Sequence, residues 1–567
     1  MHDATRAEPR GDNPRRGFLR NLTALAALLL PARRALAALY GHRATAAVTD
    51  TRDGQAGAAF APSDVRHYGI VPNSQGAAAA NTATLKRLVD PTGSFTGNLS
   101  FANTTGTDVY YFNDLIAFHD GIRLDLGGST LSFAKTGVKR DSASGFIHAI
   151  RDFTIENGSI VTDYVFTGGY DAGNVLAFGG RGLDTALFPA IYDRLLPAPM
   201  GNIVVRNLRI RGGTSGGSTR GIFMLGGFDG VLIDGVTIDG QGRLTEGIYY
   251  EFGWATNETR EQQRYTSHAR NIRVRNLTVT NVVNEAFGAM GAYDIVIDGL
   301  NVHNVGHACL IGTGESLYYR PWVPSGDLSK RPSFVARNVA GQAITSMGIG
   351  VTGASKLEGS YLSNPPANDN PLGITADQQT DLLDFVLDRF SLSGSLKNFG
   401  VWTSARNAQI SNGNLTGFQR GIVTTQECTQ FQIERVKIWD SGSFGIQVGQ
   451  GVTIHVPPRL ATGVVRDCVI AGSGTQAPCA GLYVSTTRSC LIEGCRFGYD
   501  RGMDSKSEAT QTQAVSAGAD AAGVVCRNNN VSATANGAVA YLLAGPPGRG
   551  CRIESPHGIA TAGGAWR

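Results

Sequence analysis

A unit of two short alternating strands, split by a charged residue and then Asn or Gly, recurs along most of this sequence. Asn202-Ile-Val-Val-Arg206-Asn207-Leu-Arg-Ile210 is echoed by Gly230-Val-Leu-Ile-Asp234-Gly235-Val-Thr-Ile238. Asn271-Ile-Arg-Val-Arg275-Asn276-Leu-Thr-Val279 and Asp294-Ile-Val-Ile-Asp298-Gly299-Leu-Asn-Val302 repeat it. Shorter copies end at Asn338, Asn412, Arg435, Asp467, Gly494 and Asn528, and an early one spans Phe153 to Ile160. The shortest interval is 23 residues, from Asn276 to Gly299 and from Asn412 to Arg435. Asn and Gly tolerate the left-handed backbone that a sharp corner needs. A third strand follows each unit and begins with a small residue, as in Gly221-Ile222-Phe223 and Gly247-Ile248-Tyr249. Three short strands per turn of about 23 residues predict an all-β chain, a single-stranded right-handed parallel β-helix whose coils bury their apolar faces only by stacking.

Composition agrees with one long solenoid rather than several unrelated domains. Gly supplies 74 of 567 residues and charged residues 17%, against a usual Gly content of ~7% and a usual charged content of ~25%. The net charge of +4 carries no basic block beyond the N-terminus, which excludes nucleic acid as the expected partner. Residues 1–37 read as an export signal: Arg15-Arg16-Gly17-Phe18-Leu19 precedes the apolar run Leu22 to Leu30 and the small residues Ala35-Leu36-Ala37. The paired arginines resemble a twin-arginine signal, which implies a periplasmic or secreted protein, not held in a membrane once the signal is removed. A linker is expected at 38–61, the β-helix at 62–550 and a tail at 551–567. Seven of the eight cysteines lie inside the later repeats, and Cys468 and Cys495 share one slot of adjacent units. That placement suits a ladder of free thiols in the core, although a Cys468–Cys495 bridge is geometrically conceivable.

The segment before the repeats, Asp64-Val65-Arg66-His67-Tyr68-Gly69 followed by Asn81-Thr82-Ala83-Thr84-Leu85-Lys86-Arg87-Leu88, resembles the N-terminal cap of pectate-lyase-superfamily β-helix proteins. The resemblance implies a short strand ending at Tyr-Gly and then a capping helix. Asn81 is a good N-cap, with Leu85 and Leu88 on one face.

The residue just before each third strand forms a slot. It is filled by Arg220, Glu246, Glu285 and His307 on four consecutive repeats, and later by Met347, Phe399, Arg420, Phe444 and Ala480. In a solenoid such residues stack ~5 Å apart. Two adjacent carboxylates resist ionising together, which raises one pKa toward that of a general acid. Glu246, Glu285 and His307 are therefore the expected catalytic residues, with Arg220, Tyr249 and Glu251 beside them against substrate. Insertions at about 254–268, 314–332 and 353–388 interrupt the coils, with a helix expected in the last at 377–388. Trp254, Tyr319, Arg320 and Trp322 on the first two are expected to contact sugar rings. Asp229, Asp234, Asp294 and Asp298 match the corner pattern and read as turn residues.

Asn284-Glu285 and Gly306-His307-Ala308 together resemble a degraded polygalacturonase active site. That glycoside hydrolase family carries Asn-Thr-Asp, then Asp-Asp one coil on, then Gly-His-Gly. Here the acidic pair is absent, Glu246 lacks a preceding Asn-Thr, and the later Arg-Ile-Lys is missing. The expected function is cleavage of a polysaccharide or oligosaccharide by a glycoside hydrolase with paired glutamates and no cofactor or metal. The alternatives are a polysaccharide lyase, for which calcium would be the expected ion, and a non-catalytic glycan-binding protein.

Overall fold

The structure, a computed structural model, describes residues 60–89, 95–134, 145–163, 174–179, 200–212, 219–225, 228–251, 270–290, 294–313, 333–352, 384–426, 428–451, 460–498, 511–531, 541–543 and 550–554. Of the two units into which the chain divides, Met1–Arg52 lies outside these residues, and so does the expected signal; Asp53–Arg567 holds the solenoid. Among the described residues no helix is long and apolar enough to cross a membrane.

The solenoid is a right-handed parallel β-helix, as the repeat predicts. Every registered strand pair is parallel, and the strands form one 21-stranded and one 14-stranded sheet among the described residues. The repeated units build the larger sheet: Arg270–Val282 pairs with Ile295–Val305, and that strand with Ser333–Ile344. The third strands build the smaller sheet, which runs through Arg220–Leu225, Glu246–Glu251, Glu285–Met290, Ala308–Thr313 and Met347–Thr352.

Corners bend where the sequence places Asn or Gly. Asn157, Asn207, Asn276, Asn338, Asn412 and Asn528 have φ between 49° and 60°, and Gly235, Gly299 and Gly494 occupy the same place with φ of 65°, 85° and 65°. The side chains stitch the coils together: Asn207 Nδ2 donates to Asn157 Oδ1 at 3.1 Å and Asn276 Nδ2 to Asp234 Oδ1 at 3.1 Å. Asp229 and Asp294 pair with Arg270 and Arg273, and Asp298 accepts from Asn338, so these aspartates serve corners as expected.

Among the described residues the inward apolar side chains meet in one core, with Phe101, Phe112, Phe133, Phe146 and Phe153 filling the first coils, while Phe223 and Leu225 pack separately on the outer face. Phe287 is fully buried, between Ile248 and Leu310 on the neighbouring coils. Phe287→Ala is expected to cost about 3–5 kcal/mol by leaving a cavity that flanking coils cannot close. A lowered denaturant midpoint measures this, and an unchanged midpoint would mean that the coil repacks freely. All eight cysteines carry free thiols, and Cys468 and Cys495 are fully buried neighbours on adjacent coils.

Four boundaries differ from expectation. Val65–Tyr68 is a 3₁₀ turn rather than a strand, because the Asp64 side chain accepts from Arg66 N at 2.9 Å; only Asp64 bridges to the first coil, at Ser100. The capping helix is Ala78–Val89, three residues longer at its start, and Asn81 does not cap it. Its amide is buried instead, donating to Val71 O (2.9 Å) and Tyr111 O (3.2 Å) and accepting from Val71 N (3.0 Å). Asp384–Gly394 is a strand of the larger sheet, so the third insertion ends earlier than 388 and residues 384–388 are not helical. Arg552–Ile553 pairs with Val525 and Cys526, which extends the solenoid into the expected tail. The expected insertions at 254–268 and 314–332, and the third up to 383, lie outside the described residues.

Candidate active site

The start of each strand in the smaller sheet follows one local rule. The slot residue points outward, the next points into the core, and from Arg220–Leu225 onward that second position is small: Gly221, Gly247, Ala286, Cys309, Gly348, Gly400, Gly421 and Gly445. A Cβ on Gly247 would stand 2.5 Å from Ala286 O, and one on Gly421 would stand 2.4 Å from Gly445 O, so coil stacking forbids bulk there. Side chains three residues after the slot point outward again. Arg220 with Phe223, Glu246 with Tyr249, and Glu285 with Gly288 thus lie on one outer face.

Arg220 is registered opposite Glu246. Ile248 opposite Phe287 sets Glu246 opposite Glu285 on the next coil. These three stack as expected. His307 does not join them: Glu285 is registered with Ala308, and Cys309 takes the small position. His307 belongs to the adjoining row of corner residues, Thr219, Thr245 and Asn284. Their main chains link in series, Thr245 N to Thr219 O (2.7 Å), Asn284 N to Thr245 O (2.8 Å), and His307 N to Asn284 O (3.0 Å). From that corner the imidazole still reaches the column, with Nδ1 2.8 Å from Glu285 Oε1. Gly306 brings the corner close: a Cβ there would lie 2.0 Å from Val283 O.

The Glu246 carboxyl is almost entirely buried, at 6% exposure. Arg220 Nε stands 3.1 Å from Glu246 Oε2, an ion pair rather than a well-formed hydrogen bond. Burial pushes the Glu246 pKa up to about 7. The positive charge of Arg220 opposes that rise, the negative charge of Glu285 adds to it, and a hydrogen bond with the Asn284 side chain opposes it again. Glu285 is more open, at 15% side-chain exposure, and His307 more open still at 41%. The column therefore holds a buried carboxyl disposed to keep its proton near neutrality, beside an accessible carboxyl bound to an imidazole.

Tyr249 supports the column from behind. Its ring stacks on Phe223 at 6.3 Å, and Arg220 Cζ lies 4.7 Å from its centroid and 4.5 Å from that of Phe223. The ring also covers Gly288, where a Cβ would meet Tyr249 Cδ2 at 2.6 Å. Glu251 sits at the far end of its strand, opposite Leu225, and so apart from the Glu246–Glu285 pair along the chain. Trp254, Tyr319, Arg320 and Trp322 lie outside the described residues.

Asn284 is the residue that reading the slot alone overlooked. It holds Glu246 through its side chain and the His307 corner through its carbonyl. Its position directly before Glu285 is the only sequence signal for it. Asn174 continues the column on the other side, opposite Arg220 by the Leu176–Ile222 register, and is fully buried. Among the described residues no three His, Cys, Asp or Glu side chains gather as a metal-binding group.

No family model and no curated protein sequence matches the chain. Among solved structures it is similar to a mannuronan C-5 epimerase A-module of Azotobacter vinelandii, at 11% identity and TM-score 0.37 over 87% of this chain and 100% of that one. It is similar to the catalytic unit of an α-1,3-glucanase from Streptomyces thermodiastaticus, at 10% identity and TM-score 0.34 over 81% of this chain and 66% of that one. The tailspike protein of E. coli bacteriophage HK620, in complex with a pentasaccharide, is a third, at 8% identity and TM-score 0.39 over 84% and 77%. Likeness at this level says nothing of the chemistry of this chain.

Proposed function

We propose that this chain is an exported glycoside hydrolase acting on a polysaccharide or oligosaccharide, with Glu246 as general acid and Glu285 as base or nucleophile. The observation that carries the reading is the registered carboxylate pair with unequal surroundings: Glu246 buried and raised to about 7, Glu285 accessible and bound to His307. Glycoside cleavage asks for that division of labour. Glu246 donates its proton to the departing glycosidic oxygen as the bond to the anomeric carbon breaks. Glu285 either takes a proton from water as its oxygen bonds to that carbon, or bonds to the carbon itself and is released by water in a second step. His307 Nδ1–H donates to Glu285 and fixes its orientation. Arg220 holds Glu246 in place and offsets part of the negative charge.

Export rests on the Arg15-Arg16 signal and delivers the enzyme to where polymeric glycans are found.

Incubating the mature protein with a panel of neutral and uronate-containing glycans tests the reading. The expected result is new reducing ends with no rise in ultraviolet absorbance. An unsaturated uronate product absorbing in the ultraviolet would replace hydrolysis by lyase chemistry. Tight glycan binding with no cleavage of any member of the panel would make the protein a binding module.

A further inference from the structure

Beyond Met347 the outward row of the smaller sheet changes character. Phe399 and Trp402 stack within one strand, with ring centroids 6.5 Å apart and planes at 27°. Arg420 is registered opposite Phe399, and its Cζ lies 5.6 Å from the Phe399 ring centroid. The next coil places Phe444 opposite Arg420, and Phe444 stacks on Tyr483 at 4.8 Å and 18°. These five side chains are half-buried and stand outside the core. Two flat aromatic pairs thus flank one guanidinium along the solenoid axis.

Arg420 occupies the same slot as Arg220 but not the same surroundings. Arg220 has Glu246 beside it. The slot neighbours of Arg420 are Phe399 and Phe444, and among the described residues no carboxylate pairs with it. Its Nε is buried with no acceptor, and burial lowers its pKa from the usual arginine value. A guanidinium held half out of water, with no carboxylate partner among the described residues, is costly in the free protein, and an incoming carboxylate would relieve that cost.

We propose that Phe399, Trp402, Arg420, Phe444 and Tyr483 form a second carbohydrate-binding position that takes a uronate, its carboxylate on Arg420 and sugar faces on the two aromatic pairs. Aromatic planes suit the apolar faces of sugar rings, and the planar guanidinium matches a carboxylate in two-point contact. Glu285 and Arg420 are four coils apart on one face, about 19 Å at one strand spacing per coil. A single oligosaccharide lying along the axis can therefore reach both. The inference shares with the proposed function the premise that this face receives a glycan, and it needs no cleavage to hold.

The test is calorimetric titration of the Glu285→Gln protein with an oligogalacturonate long enough to span about 19 Å, beside a neutral cello-oligosaccharide of equal length. The oligogalacturonate should bind more tightly than the neutral chain. Arg420→Gln should weaken oligogalacturonate binding roughly tenfold to a hundredfold and leave the neutral chain unchanged. Equal binding of the two probes, or an Arg420→Gln affinity for oligogalacturonate equal to that of its parent, overturns the proposal. Should Arg420→Gln melt early, Arg420→Lys supplies the comparison: a several-fold loss is expected, since a point charge replaces a planar fork, and no loss counts against it. Cleavage by the unsubstituted protein is read separately. Arg420-dependent uronate binding in an inactive protein would sink the hydrolase reading alone, and active enzyme with Arg420-independent binding would sink this one alone.

Discussion

Glu285→Gln should fold like its parent and lose at least about a thousandfold in kcat on the glycan it cleaves, with Glu246→Gln losing roughly a hundredfold to ten-thousandfold. Gln matches Glu in shape, so the coil stacking around either position is kept. What goes is charge at Glu285, which leaves neither a base nor a nucleophile, and a transferable proton at Glu246. The two losses differ in kind. An aryl glycoside whose phenol departs without protonation should restore much of the Glu246→Gln rate and none of the Glu285→Gln rate. Replacing both together should cost little more than the worse single change, because the two act in one step. Near-normal turnover in either single variant, with unchanged melting, would remove that residue from the chemistry. Rescue of Glu285→Gln by the activated substrate would exchange the two roles.

The corners of this solenoid were legible because backbone chemistry restricts them. A left-handed corner favours Asn or Gly, so Asn207, Gly235, Asn276 and Gly299 announce themselves at regular intervals. Arg389 and Arg435 hold the same conformation, at φ 54° each, and residue type alone would not reveal them. Arg435 is marked by its place in the interval, and Arg389 directly follows the stretch, ending at 388, that the sequence assigns to an insertion. The column itself was legible for Arg220, Glu246 and Glu285, whose register depends on the small residue that follows. At His307 the following residues are Ala308 and Cys309, both small enough for the tight inward position. The alignment on Ala308 displaced His307 by one place, since Cys309 is the residue that packs there. Nothing in residue type separates the two, because the choice is made by a main-chain contact with the neighbouring coil. Contact between His307 and Glu285 nevertheless survives that shift, as a corner imidazole is long enough to reach one position along.

Activity should fall about tenfold per pH unit above about 7, and that limb should vanish in Glu246→Gln. Only protonated Glu246 can serve as the acid, and its pKa is raised chiefly because the carboxyl is buried. Arg220 pulls the other way, so Arg220→Met should move the limb to higher pH; the charge of Glu285 raises the Glu246 pKa, so in Glu285→Gln the pH window of the accompanying stability change should move down. The same shift is a statement about stability. From the ordinary value of 4.5 up to about 7 the folded protein holds a proton at Glu246 that the unfolded chain has released. The stabilisation this provides is fully present below about 4.5 and is lost as pH rises through about 7, by at most roughly 3 kcal/mol at 1.36 kcal/mol per unit. Unfolding midpoints of the parent should therefore decline across that window relative to those of Glu246→Gln, which has no proton to lose. A parent and variant that decline in parallel would show that Glu246 titrates at an ordinary pKa, and would deprive the proposed mechanism of its acid.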